Sequence, residues 1–241
     1  MALPVAPMAL PAADDDNGGQ FTTHHVVDTH VRGKALSVVY MNDPVSMESS
    51  IQTMEQFLAE DNYRVVGFDL EYTIGRAGHD QKVAVAQLYV RHDVLVYHFH
   101  LATRPCERYS RFINSSEYSF AMVDTTNDLK ALKVSDLKCP NLVNIQHHYK
   151  VWGSDQNKLN SLVDLASAII DSYYAKMKEE SNKDKNAWHS VWHERLDEQH
   201  VKYAVMDAYT SYKMYRRIVD MRNCLLLDPD KGSSHIAVAG A

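Results

Sequence analysis

Cysteine is scarce in this chain: Cys106, Cys139 and Cys224 are the only three in 241 residues, they lie far apart, and no Cys-x-x-Cys occurs. An odd, dispersed set excludes a disulfide framework and a cysteine-based zinc site, and fits reduced thiols in an intracellular protein. Positive charge is also short, with 25 Lys and Arg against 31 Asp and Glu and a formal net charge of −6. That balance excludes a protein that coats duplex nucleic acid through a broad basic surface. An enzyme that grips a few phosphates at a strand end survives the test, because bound cations supply positive charge locally. No apolar run approaches the roughly eighteen residues needed to cross a bilayer, so no membrane is expected as a partner. No dense basic cluster and no internal repeat is present. The expected location is nucleus and/or cytoplasm, and the composition leaves a homo-oligomer open.

The hydrophobic share of 45% and charged share of 23% suffice for one globular domain with a full core. Met1 to Ala13 is apolar but carries Pro4, Pro7 and Pro11, has no basic start and runs into Asp14-Asp15-Asp16. This reads as a flexible tail rather than a signal peptide. The expected organisation is a disordered tail over 1–20, a domain over 21–228 and a mobile tail over 229–241.

Within the domain, Thr22 to Val31 and Leu36 to Met41 are β-rich around Arg32-Gly33-Lys34, which predicts a hairpin. Asn42-Asp43-Pro44 opens a helix whose apolar positions Met47, Ile51, Met54, Phe57 and Leu58 repeat at helical spacing. Val83 to Val90 and Val94 to Phe99, joined by a tight turn, extend an antiparallel meander that begins with the strand at Val65. Helices over 106–113 and 127–132 then alternate with strands over 120–123 and 142–145. Such alternation implies crossovers and parallel strands. Further helices are expected over 159–170 and about 197–222, with a charged, solvated stretch over 174–186. The predicted fold class is α/β: a mixed sheet, an antiparallel meander followed by parallel strands, flanked by helices.

Val65-Val66-Gly67-Phe68-Asp69-Leu70-Glu71-Tyr72-Thr73 is the stretch that carries chemistry. Strand side chains alternate faces, so Asp69 and Glu71 project together, and like charges at that range call for a cation. A divalent metal held by oxygen ligands answers that need, against the plainer reading of a solvated strand end. Tyr203 and Asp207, four residues apart in the last helix, share a helical face. Asp128 stands where a strand hands over to a helix, a position the helix dipole favours for a carboxylate without any function. Asp124 is its rival, as helix cap or as ligand.

Other residues have two readings. Tyr149 and Trp152 beside Lys150 suit either base stacking with a phosphate contact or a partly buried loop anchor. His147 and His148, adjacent in an extended segment, diverge and lack a further Cys or His at ligand spacing, so they read as surface or substrate-contacting residues. Trp188 and Trp192 read as core.

In order, the Asp-x-Glu strand, the Asp128-Leu129-Lys130 segment and the Tyr203-x-x-x-Asp207 helix resemble the DEDD superfamily of 3′→5′ exonucleases on the ribonuclease H-like fold, in its Tyr-containing branch. Trp192 through Leu196 and Gln199 through Ala204 look like the Werner-syndrome-type exonuclease domain of short plant proteins. The resemblance implies Asp69, Glu71, Asp128 and Asp207 as ligands of two Mg²⁺ or Mn²⁺ ions, and Tyr203 as the residue that orients the attacking water. It further implies a single-stranded or 3′-recessed nucleic acid, DNA and/or RNA, shortened from its 3′ end to nucleoside 5′-monophosphates. The His-containing branch needs a histidine where Lys202 stands; His200 is two helical turns from Asp207 and reads as a surface or packing residue. Two departures from the family pattern are a polar stretch before Asp128 and Tyr72 in place of a Trp after the Asp-x-Glu. The alternative is a catalytically silent module that keeps the fold and binds nucleic acid or protein.

Overall fold

Asp43 starts the first helix as its sequence requires: its carboxylate accepts from the backbone N–H of Val45 at 3.1 Å and of Ser46 at 2.9 Å, with Pro44 as the first helical residue. These bonds satisfy donors that the helix itself leaves unpaired. Asp43→Ala should lower stability by about 1 kcal/mol, read as a shifted urea midpoint with an unchanged slope. The helix, α1 (Pro44–Ala59), buries Met47, Ile51, Met54 and Leu58, the stripe its periodicity predicts, with Phe57 at the margin.

This computed structural model describes residues 19–29, 35–73, 80–148, 150–151, 161–175, 191–227 and 236–237. The strands are β1 (Thr22–Asp28), β2 (Ala35–Met41), β3 (Val65–Tyr72), β4 (Val83–Val90), β5 (Asp93–His98), β6 (Ser119–Met122) and β7 (Leu142–Asn144). The helices after α1 are α2 (Glu107–Ile113), α3 (Thr125–Val134), α4 (Ile145–His148), α5 (Leu162–Ile169) and α6 (Glu198–Leu227). A short pair, β8 (Lys150–Val151) and β9 (Ile236–Ala237), stands apart, so part of the expected C-terminal tail is paired with another strand.

The main sheet has the order β1-β2-β5-β4-β3-β6-β7. β1 and β2 form the expected antiparallel hairpin, and β3, β4 and β5 the expected meander. β6 joins β3 in parallel and β7 joins β6 in parallel, each after a helical crossover. β2 lies parallel to β5 rather than beside β3, because α1 carries the chain across the sheet between them.

Every residue of β4 is buried, as befits a central strand covered on both faces. Val85 and Tyr89 face one core with Ala204, Ala208, Tyr209 and Tyr212 of α6. Ala86, Leu88 and Val90 face the other, with Met47 and Ile51 of α1 and Phe112 of α2. One expected boundary moves: Ile145 opens α4 instead of ending the strand, so exposed His147 sits on a helical turn. Ile145 is fully buried among residues of α5 and α6, and that packing decides its conformation. Among the described residues no helix is long and apolar enough to cross a membrane.

Candidate active site

Gly67, Asp69 and Glu71 alternate along β3 and so share the face that α6 covers. A Cβ on Gly67 would sit 2.1 Å from the carbonyl oxygen of Ala208 and 2.8 Å from Cβ of Tyr212. The bare glycine therefore lets the backbone of α6 rest on the strand. Asp207, next to Ala208, is thereby lowered onto the two strand acids. Carboxylate oxygens of Asp69, Glu71 and Asp207 all come within 4.8 Å of one another.

Among the described residues, the charges that act on Asp69 and Glu71 are those of other acids. Burial, then the charges of Asp207, Glu71 and Asp128, push the Asp69 carboxyl well above its usual range. Glu71 is pushed up by burial and by Asp207 and Asp128. Burial raises Asp207 to about 7, against a hydrogen bond from the Tyr203 hydroxyl. Tyr203 is itself pushed up, first by the charge of Asp207 and then by burial, so its hydroxyl keeps its proton and donates to Asp207. Crowded by protein atoms, Asp69 and Asp207 still keep partial access to solvent.

Asp128 lies outside the 4.8 Å group but close enough to act on Asp69 and Glu71. It is 5% exposed in the first turn of α3, and burial raises it to about 6 against a hydrogen bond from the Tyr72 hydroxyl. Asp124 has the cap position but not the role: its backbone is left-handed, at φ 53°, its side chain makes no capping bond, and it is exposed. Asp128 rather than Asp124 is thus the carboxylate turned toward the strand acids.

The start of α6 is pinned from several sides. Asp197 accepts from the backbone N–H of His200 at 2.9 Å and lies 2.7 Å from its Nδ1. Trp192, buried as expected, packs edge-on against the His200 ring and 6.1 Å from the Tyr203 ring. The Tyr40 hydroxyl accepts from the N–H of Leu196 at 2.8 Å. His200 is accordingly a packing residue, and these contacts fix the pitch at which Tyr203 and Asp207 enter the site.

A 3′-5′ exonuclease family model matches residues 44–222. The chain belongs to the 3′-5′ exonuclease family. No curated protein sequence matches it. Among solved structures, this chain is similar to the EXO domain of Aedes aegypti Nibbler, with 14% identity and a TM-score of 0.56 over 80% of this chain and 91% of that one. The catalytic core of Trypanosoma brucei RRP6 gives 15% and 0.58 over 85% and 52%. Escherichia coli RNase D gives 13% and 0.54 over 81% and 50%, so the chain spans about half of each of these two. At such identities the likeness is one of fold, and the ribonuclease H-like mixed sheet is the fold observed.

For an exonuclease of this family the donor set is apt. Carboxylate oxygens crowded together, with no basic side chain acting on them among the described residues, fit a hard divalent ion better than a soft one. Tyr149 and Trp152, the expected stacking residues, lie outside the described residues, as does Trp188; Lys150 is described only in its backbone, within β8. Two further residues lie at the candidate site without having stood out in the sequence. Gly67 could have been found as a glycine inside an apolar strand, on the same face as the acids. Gln87 could have been found as the polar residue inside the apolar β4: it is the register partner of Asp69, fully buried, with a side-chain amide that has no partner among the described residues.

Proposed function

We propose that this chain hydrolyses phosphodiester bonds of a single-stranded or 3′-recessed nucleic acid from the 3′ end, with Mg²⁺ or Mn²⁺ held by Asp69, Glu71, Asp207 and Asp128. The convergence of Asp69, Glu71 and Asp207 within 4.8 Å carries this reading. Divalent ions bound there would supply activation of water and charge stabilisation at the leaving oxygen. Asp69 and Glu71 come from a rigid central strand and Asp207 from a helix pressed onto it, so the ligands are held in place before substrate arrives. Asp128 adds a fourth carboxylate, from the first turn of α3.

Tyr203 acts on the nucleophile. Its single proton is engaged with Asp207, which leaves its oxygen lone pairs as acceptors. A water beside it would direct a hydrogen to Tyr203 and a lone pair toward the phosphorus. With its pKa raised, Tyr203 is an orienter and not the base. RNA is a natural substrate to try first alongside DNA, since Trypanosoma brucei RNase D has been solved in complex with RNA U12.

The test is mononucleotide release from 5′-labelled single-stranded and 3′-tailed DNA and RNA of one sequence, with Mg²⁺, Mn²⁺ or EDTA. Ion-dependent shortening from the 3′ end is expected, and Tyr203→Phe should lower kcat about 10²-fold with ion binding retained. Folded protein that shortens neither polymer with either ion would overturn the enzymatic reading and leave a binding module.

A further inference from the structure

We propose that Tyr72 is a positioning residue whose hydroxyl fixes the Asp128 carboxylate in the orientation that holds the second ion. The inference rests on the metal-dependent reading above and goes beyond it, to the device that makes an isolated fourth ligand usable.

Three observations carry it. The Tyr72 hydroxyl donates directly to Oδ1 of Asp128. That carboxylate is buried, its remaining intramolecular bond comes from its own backbone, and the neighbouring charge that acts on it is another acid, Asp124. Its own charge acts in turn on Asp69 and Glu71. A buried carboxylate set among other acids needs a donor to hold it, and Tyr72 is that donor.

The strand is shaped to deliver the hydroxyl. Pairing of β3 with β4 runs Glu71 to Val85 and then Tyr72 to Val83, so the register slips by one residue between the acid and the tyrosine. A bulge of this kind re-aims a side chain at the end of a ladder. The Tyr72 ring packs against the apolar core that also takes Ala131 and Leu132, one turn of α3 beyond Asp128. The ring is therefore an anchored arm and the hydroxyl its working end. Phenylalanine keeps the arm and removes the end.

Asp128 stands outside the tight group of Asp69, Glu71 and Asp207, so an ion that it helps to hold would have fewer carboxylates around it and would be the more weakly bound of the two. Carboxylates that bind metal commonly need such a supporting hydrogen bond, and its loss lowers ion affinity about 10- to 100-fold.

The experiment is Mn²⁺ binding to the full chain, by calorimetry and by electron paramagnetic resonance, for wild type, Tyr72→Phe, Asp128→Asn and the double variant. Two ions are expected in wild type. Tyr72→Phe should leave the tighter ion unchanged and weaken the second by about 10-fold or more. Because both groups act through one contact, the double variant should bind no worse than Asp128→Asn alone. With substrate, kcat of Tyr72→Phe should fall at limiting Mn²⁺ and recover at saturating Mn²⁺, with KM for the oligonucleotide unchanged, a pattern that mere loosening of the fold would not give. An unchanged second affinity in Tyr72→Phe, or additive losses in the double variant, would overturn the role of Tyr72 while leaving the two-ion reading intact. A wild type that binds no Mn²⁺ would overturn both.

Discussion

Asp207→Asn is expected to abolish ion-dependent nucleotide release and, in EDTA, to make the protein more stable than wild type. The opposite signs have one origin. Without ions, Asp69, Glu71 and Asp207 crowd together in a buried site where the charge of Asp207 raises the proton affinity of both strand acids. Replacing one carboxylate by an isosteric amide keeps the hydrogen bond with Tyr203 and removes one of the repelling charges. The same substitution removes a ligand, and the loss in kcat should be at least about 10²–10³-fold, the scale for deleting one electrostatic stabiliser of a transition state.

The gain in stability should depend on pH in a defined direction. The Asp207 carboxyl rises from 3.8 in the unfolded chain to about 7 in the folded one. Below the lower value both states are protonated and the group does not weaken the fold. Between the two values the unfolded chain ionises freely while the folded one resists, so wild-type stability is lost progressively and the loss is complete above the higher value. The advantage of Asp207→Asn in EDTA should therefore grow from about pH 4 to about pH 7, to a few kcal/mol, and then level off. Thermal melts across that range check it. Equal melting of the two proteins throughout would mean that the acids do not strain the fold, and saturating Mg²⁺ should favour wild type.

The second large effect concerns a residue with no chemistry of its own. Gly67→Ala is expected to lower both stability and activity, and Gly67→Val more so. The added Cβ meets the carbonyl of Ala208 at 2.1 Å, a backbone atom in a helix that cannot rotate aside. Overpacking of this kind costs about 1–3 kcal/mol and sometimes more. The helix must also lift, carrying Asp207 and Tyr203 off the strand acids. A displacement near 1 Å at a reacting centre costs about 10²-fold in rate. Denaturant titration together with Mn²⁺ affinity separates the two consequences. A Gly67→Ala protein with wild-type midpoint, affinity and rate would show that close contact between α6 and β3 does not set the site.

What the sequence determined by itself is the placement of groups within single elements. Asp69 and Glu71 share a face because strand side chains alternate, and Tyr203 and Asp207 share one because four residues make about one helical turn. Asp43-Pro44 marks the start of α1 through its local capping chemistry, and the β3–β4–β5 meander follows from short strands joined by turns. The ordered motifs were enough to point to the exonuclease family, which the match over residues 44–222 shows.

Distances between elements were decided only by the tertiary structure. Asp128 and Asp124 are equivalent in sequence terms, four residues apart on one segment, and only the docking of α3 buries one and exposes the other. Ile145 scans as the end of a strand, yet burial against α5 and α6 places it in a helix. The bond from Tyr72 to Asp128 depends on a slipped register, and the meeting of Asp207 with Asp69 and Glu71 depends on one absent Cβ. Periodicity is set by bonds along the chain and can be counted. Contact between segments far apart in sequence is set by close packing, in which a single atom at Gly67 determines how near two elements can lie.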